Sequence, residues 1–324
     1  MPTPNPAGFM VIDKPAGLTS HDVVSVVRAL TMTRRVGHTG TLDPFATGVL
    51  PIALGGATRL IQFLDESQKV YVATVELGMS TETGDATGPV RAEAPVPTLD
   101  RARVAAVLEA FTGPLMQKPH AYSAVKVAGR RLYEYARAGE SVDVPARPIT
   151  VHGWEILELG ASRLRLRVRC GRGTYVRVLA EELAVALGTC GHLSALRREQ
   201  SGPFHLGTAV DMPALARIAA DREDWRPVLR PERGAARVEW KDRALVAEAV
   251  CARLMPPLDG FAGRVRVELD ANQLPRIRNG GRPPPPPPAL PDGDPYLLVH
   301  RGALVAVAAR TDRGPRLRRV MAAS

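Results

Sequence analysis

The stretch Gly37-His38-Thr39-Gly40-Thr41-Leu42-Asp43-Pro44-Phe45-Ala46-Thr47-Gly48 holds the densest set of groups able to do chemistry. Its glycines permit tight turns and close approach of a ligand to the backbone. Asp43 precedes a proline, which pushes its own backbone out of the helical region and onto a turn or extended stretch. A carboxylate there can serve as nucleophile or base, or it can cap a turn. His38 is able to exchange a proton or to bond the loop. Tyr71 follows Lys69 at strand spacing, on the same face. Such a ring either packs across strands or stacks on a base. Arg177 stands in the first turn of an expected helix, where the macrodipole disfavours a cation. Such an Arg is either a solvated surface residue or the partner of a carboxylate or phosphate, and bidentate pairing suits an aspartate.

These side chains need elements to hold them. Phe9 to Asp13 reads as an apolar strand, stopped by the turn Lys14-Pro15-Ala16-Gly17. Thr19-Ser20-His21-Asp22 has the form of a capping box, and Val23, Val26, Val27 and Leu30 follow at helical spacing, so a helix is expected over about 21–31. Residues 69–77 alternate as a strand. Residues 99–111 carry a helical stripe ended by Gly113-Pro114. In 162–170 Leu164, Leu166, Val168 and Cys170 face one way and Arg163, Arg165, Arg167 and Arg169 the other. Gly171-Arg172-Gly173 then turns into a helix from Thr174 to Leu187. Strands and helices mix without regular alternation, which predicts an α+β fold. Residues 208–258 have a mostly helical composition, and short strands dominate from about 259. The tract Pro283–Pro288 cannot pair in a sheet and is expected to be a stiff exposed loop.

Composition narrows the chemistry. The chain has 324 residues, with 43 Lys and Arg against 33 Asp and Glu, a net charge of +10 and a pI near 10.1. An anionic partner is favoured, nucleic acid ahead of a membrane surface. Residues 163–177 hold six Arg and no acid; the Arg163–Arg169 face reads first as a solvated sheet face, in a run that is also able to steer RNA. No apolar run approaches the roughly 20 residues needed to span a bilayer. The N-terminal Met-Pro-Thr-Pro-Asn-Pro lacks the features of a signal peptide and is expected to be frayed over residues 1–8. Three widely spaced cysteines point to a reducing compartment and to no zinc site. Phosphate-loop, dinucleotide, metalloprotease and serine-hydrolase motifs are all missing. A cytoplasmic protein without metal or redox cofactor is expected.

Eight separate segments, in one order, carry a resemblance. They are Asp13-Lys14-Pro15-Ala16-Gly17, the His38–Gly48 loop, Lys69-Val70-Tyr71, Gly84-Asp85-Ala86-Thr87-Gly88, Tyr122-Ser123-Ala124-Val125-Lys126, Leu132-Tyr133-Glu134-Tyr135-Ala136-Arg137, Gly173-Thr174-Tyr175-Val176-Arg177 and Leu196-Arg197-Arg198-Glu199-Gln200-Ser201-Gly202. Together they resemble the bacterial TruB family of tRNA pseudouridine synthases. The resemblance implies isomerisation of uridine 55 in the T-loop of tRNA, on a pseudouridine synthase fold with a mixed, largely antiparallel sheet. It makes Asp43 the catalytic aspartate, paired with Arg177, and Tyr71 the ring stacked on the target base. Leu196 and Tyr175 would line the uracil pocket, His38 would help displace the flipped base, and Lys14 would support the site. Residues 1–258 would form the catalytic domain, with an RNA-gripping insertion at about 118–147, and 259–324 a PUA-like RNA-binding domain. The T-arm of tRNA would be the partner, with no membrane and no obligate protein partner. A non-catalytic RNA-binding or RNA-folding protein on the same scaffold is the alternative, and a base-excising glycosylase a third reading.

Overall fold

The computed structural model describes residues 6–65, 67–123, 125–140, 142–224 and 240–321. The frayed N-terminus expected over 1–8 falls largely outside the described residues, as does 225–239 within the helical stretch expected over 208–258.

From the N-terminus the elements are β1 (Gly8–Lys14), α1 (Ser20–Leu30), β2 (Val36–His38), β3 (Thr47–Leu54), a 3-10 turn at Gly55–Phe63, β4 (Lys69–Leu77) and the hairpin β5 (Met79–Thr81) and β6 (Val90–Glu93). Then come α2 (Arg101–Ala110), β7 (Gly113–Gln117), the short hairpin β8 (Lys126–Val127) and β9 (Arg130–Arg131), and α3 (Leu132–Arg137). These lead into β10 (Arg147–Leu159), β11 (Arg163–Cys170), α4 (Val176–Ala186), β12 (Gly191–Ser201), β13 (Phe204–His205), β14 (Ala209–Asp211) and α5 (Met212–Ala220). The described chain ends with α6 (Arg243–Cys251), β15 (Arg266–Glu268), α7 (Gln273–Arg278), β16 (Pro295–His300), β17 (Ala303–Ala309) and β18 (Arg316–Val320).

The chain divides into two compact units, one of residues 1–44, 49–65 and 203–324, the other of 45–48 and 66–202. In the first, β1 runs parallel to β14, with Val11 opposite Ala209, and β2 is antiparallel to β3, with His38 opposite Ile52. The expected capping box is present: the Thr19 hydroxyl accepts from the Asp22 backbone, and the Asp22 carboxylate accepts from the Thr19 backbone at 2.8 Å. A four-stranded sheet in the order β15-β16-β17-β18 closes this unit. Phe9, Leu60, Phe204, Phe261, Leu297 and Val307 share one buried cluster, so this sheet rests on the same core as β1. The proline tract pairs with no strand, but it is not wholly exposed. Pro283 is buried, the Tyr296 hydroxyl donates to the Pro284 carbonyl at 2.7 Å, and Arg310 donates to the Pro288 carbonyl at 2.7 Å.

In the second unit the strand order runs from the first two residues of β3 through β12, β4, β11 and β10 to β7. β4 lies between β11 and β12 and is antiparallel to both. The ladder is mixed and largely antiparallel, and the α+β reading holds. Three strands have no clear alternation in the sequence: β3, β10 and β12. β3 is buried from Gly48 onward, so both faces are apolar and the period of two vanishes. It also contains Pro51, whose carbonyl still accepts from the Thr39 backbone at 3.1 Å. β10 and β12 each carry two register shifts, which break the period.

Candidate active site

Asp43 sits half-buried in the loop between β2 and β3, and the main chain of both its neighbours is held. On the N-terminal side, buried Ser20 at the start of α1 bonds Leu42 twice. Its hydroxyl donates to the Leu42 carbonyl at 3.1 Å and accepts from the Leu42 amide at 2.8 Å. On the C-terminal side, the Pro44 carbonyl accepts from the Gly17 amide at 2.8 Å and from Lys14 Nζ at 3.2 Å. Lys14 is fully buried, and its ammonium also donates to the carbonyls of Pro15 at 2.9 Å and Leu18 at 2.8 Å. A buried ammonium is tolerable only with such partners. Gly17, with φ at +84°, makes the turn that presents its amide. The sequence Lys-Pro-Ala-Gly and the start of α1 therefore form a brace for Leu42-Asp43-Pro44. His38 ends β2 and is half-buried.

In the second unit, Tyr71 lies at the middle of β4, opposite Val168 on one side and Arg198 on the other, while Ala73 is opposite Leu196. Directly opposed residues of an antiparallel ladder share a face, so Tyr71, Leu196 and Arg198 project from the same side of the sheet. Tyr71 and Leu196 are each 7% exposed and Arg198 is fully buried. Thr47 and Gly48 come close alongside β12: a Cβ on Gly48 would lie 2.2 Å from the Arg198 carbonyl oxygen, and the φ of +100° there also favours glycine. Tyr175 caps α4, and buried Gln117 on β7 holds its backbone from both ends. Gln117 Oε1 accepts from the Tyr175 amide at 2.8 Å, and Nε2 donates to its carbonyl at 3.1 Å.

Arg177, in the first turn of α4, is 5% exposed. Nη1 donates to the Thr83 carbonyl at 2.7 Å and faces Asp85 Oδ2 at 3.4 Å, and Nη2 donates to the Tyr122 carbonyl at 3.0 Å. Asp85 is itself buried, accepting from the Thr83 hydroxyl and the Thr87 amide, both at 2.9 Å. Sequence reasoning missed Thr83, Asp85 and Tyr122 as partners of Arg177. Gly84-Asp85-Ala86-Thr87-Gly88 offered a signal, because an acid flanked by glycines and threonines is a compact acceptor site. Against the same cluster stands His120, whose pKa is pushed down to about 4 by burial and by the charges of Arg177 and Arg91. Burial raises the Glu181 carboxyl, opposed by its pairing with Arg91. Among the described residues no group of three His, Cys, Asp or Glu could hold a metal ion.

The arginine face of β11 is largely exposed, as a solvated sheet face would be, and acids of the same sheet meet two of its members: Arg163 pairs with Glu76 at 2.7 Å, and Arg167 pairs with Glu155 at 2.5 Å and Glu199 at 2.9 Å.

Residues 28–176 match the model of the TruB family pseudouridylate synthase N-terminal domain, and 177–235 that of the tRNA pseudouridylate synthase B C-terminal domain. The chain belongs to the TruB family. His38, Asp43 and Tyr71 fall in the first matched domain, and Arg177 opens the second. The tRNA pseudouridine synthase B of Aromatoleum aromaticum is 42% identical over 274 residues, which are 84% of this chain and 80% of that protein. The protein of the same name from Corynebacterium efficiens is 48% identical over 213 residues, 64% of this chain and 72% of its own. Among solved structures, a Cbf5–Nop10–Gar1 complex aligns with a TM-score of 0.68 and 25% identity, covering 97% of this chain and 84% of the other. An H/ACA RNP bound to a substrate RNA containing 2′-deoxyuridine has the same TM-score of 0.68 at 22% identity, covering 100% and 92%, and shares the fold. As a pseudouridine synthase of this family, the TruB-type chain is an isomerase.

Proposed function

We propose that this TruB-family isomerase converts uridine 55 in the T-loop of tRNA to pseudouridine, with Asp43 as the catalytic carboxylate. The observation that carries the reading is the brace on Asp43. Ser20, Gly17 and Lys14 hold the main chain of Leu42 and Pro44 on either side of one half-buried carboxylate, in a loop with no other acid. Holding a reactive group in one geometry is where much of an enzyme's rate acceleration arises. The names of the relatives from Aromatoleum and Corynebacterium support tRNA as the substrate class.

The reaction breaks the C1′–N1 bond, turns the uracil, and joins C1′ to C5. C5 gives up a proton and N1 gains one, so mass is unchanged and no cofactor is required. An ionised Asp43 supplies a nucleophile or a base for this sequence. The target nucleotide leaves its stack, and Tyr71 receives the base against an apolar wall that includes Leu196. Tyr175 lines the same pocket, His38 helps displace the flipped base, and Lys14 supports Asp43. Arg177 serves as the cation that favours an ionised carboxylate. Residues 118–147 grip the T-arm, and 259–324 form the PUA-like RNA-binding domain after a catalytic domain of 1–258. The protein works in the cytoplasm.

A T-arm stem-loop tests this. The protein should yield pseudouridine at unchanged RNA mass, and Asp43→Asn should lower the rate more than about 10⁴-fold while RNA binding persists. Release of free uracil would indicate excision, and binding without either product would indicate a pure RNA binder.

A further inference from the structure

His120 is nearly buried, 9% exposed, and lies at the root of the 118–147 insertion. Its imidazole stands between the two segments that hold Arg177. On one side, Nδ1 accepts from the Tyr122 amide at 3.1 Å, and the carbonyl of that same Tyr122 receives Arg177 Nη2 at 3.0 Å. On the other side, Nε2 abuts Gly84, where a Cβ would sit 3.2 Å from it. Gly84 lies between Thr83 and Asp85, the two acceptors of Arg177 Nη1. Gly84 has a φ of +70°, so the lack of a side chain there serves both the turn and the space the ring fills.

The ring is also fixed from behind. With Nδ1 accepting, the neutral imidazole carries its proton on Nε2, which faces Glu181 Oε2 at 3.7 Å. Glu181 lies on α4, four residues beyond Arg177 and therefore on the same helical face. Its other oxygen accepts from Arg91 at 3.0 Å. Helix α4 thus presents Arg177 to the two acceptor segments and Glu181 to the ring wedged between them.

We propose that His120 is a positioning residue for Arg177. Its ring sets the separation between the Thr83–Asp85 segment and the Tyr122 carbonyl, and so holds both arms of the guanidinium fork at once. Without the ring nitrogen, the Tyr122 amide loses its acceptor and that carbonyl is free to drift from Nη2. The catalytic consequence rests on the function proposed above, but the positioning itself does not.

Two substitutions separate the roles. His120→Leu keeps apolar volume and removes the acceptor. His120→Asn places an amide oxygen near the Nδ1 position and keeps it. Both are read first by the Nε–H and Nη signals of Arg177 in the full-length protein's NMR spectrum, assigned with Arg177→Lys. His120→Leu should speed solvent exchange of these protons at least tenfold, and His120→Asn should leave it within about threefold. On a T-arm stem-loop, His120→Leu should lower kcat roughly 10- to 100-fold with KM within about twofold, and His120→Asn should restore most of it. Unchanged Arg177 signals in His120→Leu overturn the proposal, as does equal damage by both variants, which would mark simple packing. If Arg177→Ala keeps full turnover, the catalytic reading of Arg177 fails, while the NMR comparison still decides whether His120 positions it.

Discussion

Asp43 and Arg177 are held by contrasting means. The brace on Asp43 acts on its neighbours' peptide groups, and its members all come from residues 14–44. The cage on Arg177 acts on the side chain itself, and its members come from positions 83, 85 and 122, more than fifty residues away. The bonds of the brace hold the main chain that carries the carboxylate. A cage of acceptors around a planar fork fixes position and orientation together. The first is built from bonds close in sequence, and the second from contacts remote in sequence.

If the cage depends on the fork, then Arg177→Lys should be nearly as harmful as removing the side chain. A lysine places one ammonium where the guanidinium places two separate NH2 groups on the Thr83 and Tyr122 carbonyls, and the buried Asp85 is left with a weaker partner. We expect turnover on a T-arm stem-loop to fall about 10³-fold, about 4 kcal/mol of transition-state stabilisation. A lysine variant within tenfold of the wild type would show that charge alone suffices and the cage geometry does not matter.

The cage also leaves a mark on stability. His120 titrates near 4 in the folded protein against an ordinary 6.5, because burial, Arg177 and Arg91 all oppose its protonation. Below 6.5 the unfolded chain takes up a proton that the folded one refuses. The contribution is therefore complete above pH 6.5 and is lost as pH falls from about 6.5 to about 4, a change of about 3 kcal/mol. Glu181, whose pKa is raised by burial, acts in the opposite direction in the window just above its ordinary value. Urea unfolding of the wild type and of His120→Asn across pH 7 to 4 isolates the histidine. Their difference should shrink steadily with acid, and a constant difference would refute the linkage.

On the side of the brace, Ser20→Ala leaves the buried Leu42 amide and carbonyl without the hydroxyl that serves both. The expected loss is about 2 kcal/mol of stability, with kcat down about tenfold and RNA affinity unchanged. Loss of stability with full kcat would mean that the brace holds the fold but does not aim Asp43.

The same contrast explains what could be read from the sequence. The brace was partly visible because its parts are near one another: Lys-Pro-Ala-Gly, the capping box at Thr19, and the turn before Pro44 all carry local signals. The strand at 69–77 and the helix bearing Arg177 followed from periodicity. The cage left only the Gly84–Gly88 segment as a trace, which marks an acceptor site but not its partner. Asp85 lies 92 positions from Arg177, and nothing in local spacing joins them. β3 was hidden for a different reason, since burial of both faces erases alternation and Pro51 imitates a loop. Tyr71 was placed on the correct strand, but its opposition to Arg198 depends on the pairing of two strands that are remote in sequence.

Arg163 and Arg167 give the smallest expected effect and test where the positive charge counts. In sequence they belong to a run of six Arg without an acid, a solvated sheet face also able to steer RNA. Folding supplies Glu76 and Glu155 from the adjoining strands and Glu199 from β12, one strand further on. These pairs are partly exposed, with Arg163 59% and Arg167 35% accessible, so each is worth under about 1 kcal/mol. An arginine already satisfied by carboxylates releases few counterions when RNA binds. Arg163→Ala and Arg167→Ala should therefore leave the slope of log affinity against log salt unchanged. A true phosphate contact would lower that slope by nearly one unit per arginine. Such a drop would mean that RNA displaces the acids, and that the arginine face of β11 is a switchable part of the binding surface.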